Sequence, residues 1–277
     1  MQDYKDFTKP GTQSVTYGKY LKVHELLALQ EELSEPKAHD ELLFITIHQT
    51  YELWFKQILH ELDQTQIYLD GDKLPQMMKG LERINRIMRV LVSQVEILES
   101  MTPNEFNRFR GHLSPASGFQ SFQFRVLEFR LGMKNYAHLK FFEHEPEAHA
   151  AIAKAMSEKT FYDHWFAYLK RRGLPIPEDV LQRDVTVPYE AHAEVSKIFV
   201  ELYKDTDKHF DLYVASEALY DFDELLIQWR FRHVQMVQRM IGNMGGTGGS
   251  LGARYLQSTL SKSAFPELWD LRNLLGK

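Results

Sequence analysis

The sequence predicts an all-α protein built around a bundle of long helices, and two observations carry that prediction. Apolar residues recur at spacings of three and four along most of the chain, the period of one helix face. Alternating β-branched runs are scarce, with Asp184-Val185-Thr186-Val187 the one short strand candidate. With 277 residues, 44% of them hydrophobic, the chain can bury a sizeable core. No internal repeat or low-complexity linker divides it, so residues 1–277 are expected to form one domain.

The elements follow in order. A first helix is expected over Tyr20 to Leu33, then a long one from His39 to Leu69, stopped by Asp70-Gly71-Asp72. A third begins near Pro75 and carries Met78, Leu81, Ile84, Met88, Leu91, Val95 and Leu98 as one stripe, which asks for a close antiparallel partner. Two capping boxes come next: Thr102-Pro103-Asn104-Glu105, and Ser117-Gly118-Phe119-Gln120, the second opening a helix to about Leu131. Helices at 145–157 and 159–172 precede the break at Gly173-Leu174-Pro175-Ile176-Pro177. Others are expected over Tyr189 to Tyr203 and Asp211 to Ile241, before a stretch with six glycines between Gly242 and Gly252.

Composition removes several function classes. Lys and Arg number 33 against 38 Asp and Glu, a net charge of −5, and no basic face is offered to nucleic acid. The absence of cysteine excludes disulfides, thiolate metal sites and covalent haem attachment, so any haem would be held noncovalently. Met1 to Pro10 is polar and no stretch approaches 18 uncharged apolar residues, so a cytoplasmic location without a membrane partner is expected.

Two histidines stand out. His48 shares a stripe with Phe44, Tyr51 and Phe55, and His233 shares one with Phe222, Leu226, Trp229, Val237 and Met240. Either alone reads as a core histidine satisfied by its neighbours. Two among large aromatics also fit neutral axial ligands of a buried haem, and periodicity leaves both readings open. A ferritin-like di-iron centre is excluded, because none of the 12 histidines has an acid three residues before it. The triplets His39-Asp40-Glu41, His192-Ala193-Glu194 and His209-Phe210-Asp211 match a loose non-haem iron pattern and read as structural or solvated. Arg110, between aromatics in Phe106-Asn107-Arg108-Phe109-Arg110, could fork a carboxylate but by itself reads as a solvated or paired arginine.

Taken together, the segments resemble the tryptophan 2,3-dioxygenase family from Thr16 to about Asp270. The resembling blocks are Thr16-Tyr17-Gly18-Lys19-Tyr20-Leu21, the stretch from Asp40 through His48 to Lys56, Ser117-Gly118-Phe119-Gln120-Ser121, Trp229-Arg230-Phe231-Arg232-His233, Gly245-Gly246-Thr247-Gly248-Gly249-Ser250 and Phe265-Pro266-Glu267-Leu268-Trp269-Asp270. The resemblance implies a homotetrameric haem b enzyme that takes L-tryptophan and O₂ to N-formyl-L-kynurenine, the first step of the kynurenine pathway. It implies His233 as proximal iron ligand, His48 as the distal histidine that meets the indole N–H, and Phe44 as an aromatic wall. Arg110 would clamp the substrate carboxylate, Thr247 would meet its amino-acid end, and Ser117 and Gly118 would approach the haem edge. Tyr17, Tyr20 and Leu21 match a segment, within residues 1–21, that is exchanged with a neighbouring subunit. Phe106 departs from members that carry a tyrosine supporting the clamp. The competing expectations are a haem sensor or oxygen carrier, which needs no Arg110, and a catalytically silent helical scaffold.

Overall fold

Helices α3 (His39–Asp70) and α4 (Leu74–Glu99) are joined by three residues, so the chain turns straight back on itself. The computed structural model describes residues 15–242, 244 and 256–276. α3 has 32 residues, about 48 Å at 1.5 Å per residue. The expected α4 stripe is buried from Leu81 to Leu98, with Met78 half-buried, and it lies between α3 and the third long helix, α11 (Phe210–Ile241). Gly80 permits that approach: a Cβ there would lie 3.0 Å from the Thr65 methyl of α3.

The shorter helices close the ends of this bundle. They are α5 (Pro103–Phe109), α6 (Phe122–Arg130), α7 (Pro146–Ser157), α8 (Phe161–Arg171), α9 (Glu178–Leu181), α10 (Ala193–Lys204) and a C-terminal helix, Pro266–Leu274. The α5 capping box forms as the sequence predicts, with Thr102 Oγ1 accepting from Glu105 N and Glu105 accepting from Thr102 N, a motif worth about 1 kcal/mol. Two buried carboxylates fasten the C-terminal helix. Asp223 of α11 accepts from Ala264 N at 2.8 Å and from Phe265 N and Trp269 Nε1 at 3.0 Å. Glu267 accepts from Tyr162 Oη, Tyr189 Oη and His192 N. Burial raises the pKa of both, outweighing hydrogen bonds that lower it.

Four expectations need correction. In place of a helix over Tyr20 to Leu33, two short helices, α1 (Tyr17–Leu21) and α2 (Val23–Leu26), flank Lys22 at φ 54°, and irregular chain follows. Leu26, Leu27, Leu29 and Leu33 remain exposed, so no buried face offsets the ordering cost. Glu41 instead holds the irregular chain in place by accepting from Leu33 N at 2.8 Å and Ser34 N at 3.0 Å. The Ser117 box closes a single 3₁₀ turn, Gly118–Gln120, after which Ser121 recaps α6. α10 starts at Ala193, four residues later than expected, because Glu267 already holds Tyr189 and His192. Asp184–Val187 is a turn in which the Asp184 carboxylate accepts from the Thr186 N–H and hydroxyl, an alternative to ladder bonding. Among the described residues there is no strand, and no helix is long and apolar enough to cross a membrane.

Candidate active site

Both predicted stripes face one cavity of about 260 Å³. α3 contributes Phe44, His48, Tyr51 and Phe55; α11 contributes Trp229, His233, Met236, Val237 and Met240. Phe106 and Arg110 close it on the α5 side, while the Ser117-Gly118-Phe119 turn and the start of α6 line another wall. The packing explains the shared outlook: α5 touches both α3 and α11, and α6 packs on α3.

His48 is held in one tautomer. Its Nδ1 is 2.7 Å from the Phe44 carbonyl oxygen, which can accept only, so Nδ1 donates and Nε2 is left as an acceptor. Its ring lies 4.1 Å from the Phe44 ring. Burial lowers its pKa, outweighing the Phe44 bond and the Glu52 charge that raise it, so the ring is neutral at neutral pH. His233 is neutral for the same principal reason. Burial, and then the interaction with His48 and Arg125, pushes its pKa down to about 4. The ring is nearly parallel to that of Trp229, at 2° and 5.4 Å, and Trp229 packs against Tyr51, Phe55 and Phe124. No hydrogen bond engages the His233 ring among the described residues. A fixed, neutral imidazole in an apolar wall can serve as a metal ligand.

The α5 side brings aromatic rings and a cation together. Phe44, Phe106 and Phe109 form a cluster with centroids 5.3 to 5.8 Å apart. Arg110 follows Phe106 by one turn, at the start of the 3₁₀ turn Arg110–His112, and its Nη1 is 3.5 Å from Met244 Sδ. Phe106 brings no hydroxyl to this arginine.

Seven of the expected site residues therefore meet: Phe44, His48, Phe106, Arg110, Ser117, Gly118 and His233. Thr247 lies outside the described residues. Tyr17, Tyr20 and Leu21 are exposed on α1 and do not line this cavity within their own chain. Sequence reasoning missed a buried ionic group in the wall, Arg125, Glu128 and Arg230, and also Glu52, whose carboxylate Oε2 accepts from Gln123 Nε2 at 2.8 Å. The available signal was charge placed three apart inside the apolar run of α6, and an arginine three residues before His233.

The chain matches the family model described as tryptophan 2,3-dioxygenase over residues 2–144 and 196–275. It is 44% identical over 263 residues to tryptophan 2,3-dioxygenase of Bacillus thuringiensis (strain Al Hakam), covering 95% of this chain and 94% of that protein. The protein of that name from Serratia proteamaculans (strain 568) is 42% identical over 271 residues, 98% of this chain and 95% of that one. Its namesake from Caulobacter vibrioides (strain ATCC 19089 / CIP 103742 / CB 15) is 44% identical, covering 95% of this chain and 99% of its own. Matches of this extent take in the helices that build the cavity, and the chain belongs to the tryptophan 2,3-dioxygenase family.

Proposed function

We propose that this chain opens the indole ring of L-tryptophan, adding both atoms of O₂ across the C2–C3 bond to give N-formyl-L-kynurenine. The observation that carries the proposal is the division of the cavity. An aromatic wall with a hydrogen-bond acceptor, His48 Nε2, suits an indole and its N–H, and Arg110 at the rim suits a carboxylate.

The residues also fit a noncovalent haem b. The walls are largely apolar, His233 presents a neutral ring with no hydrogen bond among the described residues, and the buried Nε of Arg125 lacks a partner there. His233 would hold the iron, with Ser117 and Gly118 at the macrocycle edge. When bound, the haem supplies the redox chemistry that activates O₂. The protein supplies orientation and exclusion of water. Phe44 and Phe106 press the indole into one plane, while His48 accepts its N–H and fixes which edge faces the cavity interior. Since an indole N–H is a very weak acid, His48 orients and need not remove that proton. Arg110 fixes the other end of the substrate, with Thr247 assigned to the same end.

The test is direct. Haem-loaded, reduced protein given L-tryptophan and isotopically labelled O₂ should release N-formyl-L-kynurenine carrying two labelled atoms. Gas binding with no consumption of tryptophan would leave only the sensor or carrier reading.

The proposal extends to assembly. Residues 1–277 act as one catalytic domain in a homotetramer, and residues 1–21 of each chain complete a neighbour's pocket. In the isolated chain Tyr17 and Tyr20 are 78% and 75% exposed and α1 buries nothing, which supports a seat elsewhere. Burying a large side chain is worth about 1.5–3 kcal/mol, so deletion of residues 1–21 should lower kcat/KM by about tenfold or more. A tryptophan-saturable, fully active monomer after the deletion would exclude the exchange.

A further inference from the structure

Two guanidiniums share one carboxylate in the cavity wall. Glu128 accepts from Arg125 Nη1 at 2.5 Å and from Arg230 Nη2 at 2.7 Å, and all three residues are buried. Burial alone would raise the Glu128 pKa, but the two arginines outweigh it and keep it ionised. The group therefore carries one positive charge in excess.

The two arginines are not equivalent. Arg230 is fully engaged, with further contacts to the Lys262 carbonyl at 3.2 Å and Met133 Sδ at 3.0 Å. Arg125 is 6% exposed, lines the cavity, and has a buried Nε with no partner among the described residues. Its guanidinium lies 5.2 Å from the centre of the Phe119 ring and 5.0 Å from that of Phe124, which orients it without neutralising it. Neighbouring groups leave the excess standing. Glu52 accepts from the neutral Gln123 amide and forms no ion pair with Arg125 or Arg230 among the described residues, and His138 is neutral, its pKa pushed down to about 4 by burial and then by Arg125. A buried cation with a spare donor beside a cavity is costly unless an anion completes it.

We infer that Arg125 receives a carboxylate of the cofactor, one of the two propionates at the haem edge, from within the cavity wall. The inference rests on the haem reading above. Its side of the cavity points to the cofactor as the source of the carboxylate: Arg125 lies against Phe119, next to the Ser117-Gly118 turn assigned to the macrocycle edge, and is joined through Glu128 to Arg230, three residues before His233, whereas Arg110 follows Phe106 at the end of α5. Arg125 would be a positioning residue for the macrocycle, holding it by one carboxylate.

The test compares haem with its dimethyl ester, which has the same ring and no carboxylate. Apoprotein titrated with each, followed by the Soret band, gives two dissociation constants. The wild-type chain should prefer haem by about tenfold or more, the size of one charge-assisted contact, and Arg125→Gln should bring the ratio close to unity. Arg125→Gln leaves Glu128 paired to Arg230, so the helical fold should persist by circular dichroism. Glu128→Gln provides a second arm of opposite sign: it frees both arginines, and the preference for haem should widen. An unchanged ratio in Arg125→Gln, or a narrowed one in Glu128→Gln, overturns the inference. So does an unchanged ratio accompanied by a tenfold weaker hold on L-tryptophan, which would assign the cation to the substrate. A wild-type chain that takes up neither porphyrin would overturn the haem reading along with it.

Discussion

His233→Ala should lose haem while keeping its helices. His233 and His48 are the histidines that line the cavity among the described residues, and His48 Nδ1 is already committed to the Phe44 carbonyl. Partners one shell further out are commonly worth 10- to 100-fold in metal affinity, so removing the ligand itself should weaken haem binding by about a hundredfold or more. Replacing an imidazole by a methyl group also removes the ring stacked on Trp229 and leaves a void there, which should lower thermal stability modestly. His233→Gly with added imidazole provides the specific control: restoration of the Soret band would place the missing nitrogen at this position. Retention of haem with an unchanged ferrous spectrum in His233→Ala, together with loss in His48→Ala, would exchange the two assignments.

Arg110→Ala should spare the haem and damage the enzyme. A planar two-bond pair with the substrate carboxylate, shielded from water, is worth about 2–4 kcal/mol, and about 1.4 kcal/mol is tenfold. The expected loss in kcat/KM for L-tryptophan is therefore at least about tenfold. Lysine should rescue poorly, because an ammonium cannot reproduce the fork. Phe106 lends no hydroxyl here, so more of the recognition falls on Arg110, and Phe106→Tyr should lower KM by restoring a donor near the carboxylate. Unchanged kcat/KM in Arg110→Ala with normal ferrous–CO spectra would remove the clamp and favour a gas-binding role.

Much of the fold was legible because helix periodicity reports burial directly. The bounds of α3, α4 and α11 fell within a residue or two of expectation, and both histidine stripes turned toward the same space. In two of the failures a carboxylate outside the local pattern claims its backbone or side chains. Glu41 claims the backbone that would extend α2, and Glu267 claims Tyr189 and His192 ahead of α10. The Ser117 box was correctly located, but its length was not, since Ser121 offers a second cap four residues later. In the site, pattern located His48 and His233 without deciding their role; only the resemblance ranked metal ligation above core packing. The Arg125, Glu128 and Arg230 group was illegible for a different reason. An arginine on α6 and one on α11 look solvated until the bundle brings them to one carboxylate.

α11 is a single unbroken rod that carries Asp223, Arg230 and His233. Each is matched to something different: the C-terminal segment, the ionic group in the wall, and the proposed cofactor. Because a helix advances about 100° per residue, one codon inserted between Asp223 and His233 would rotate these attachments out of phase with one another. Point substitutions along the outer face of the rod leave that phase intact. Over evolutionary time α11 should therefore drift freely in identity at its solvent positions while its length stays frozen, and natural insertions or deletions in this protein should accumulate outside the interval from Asp223 to His233.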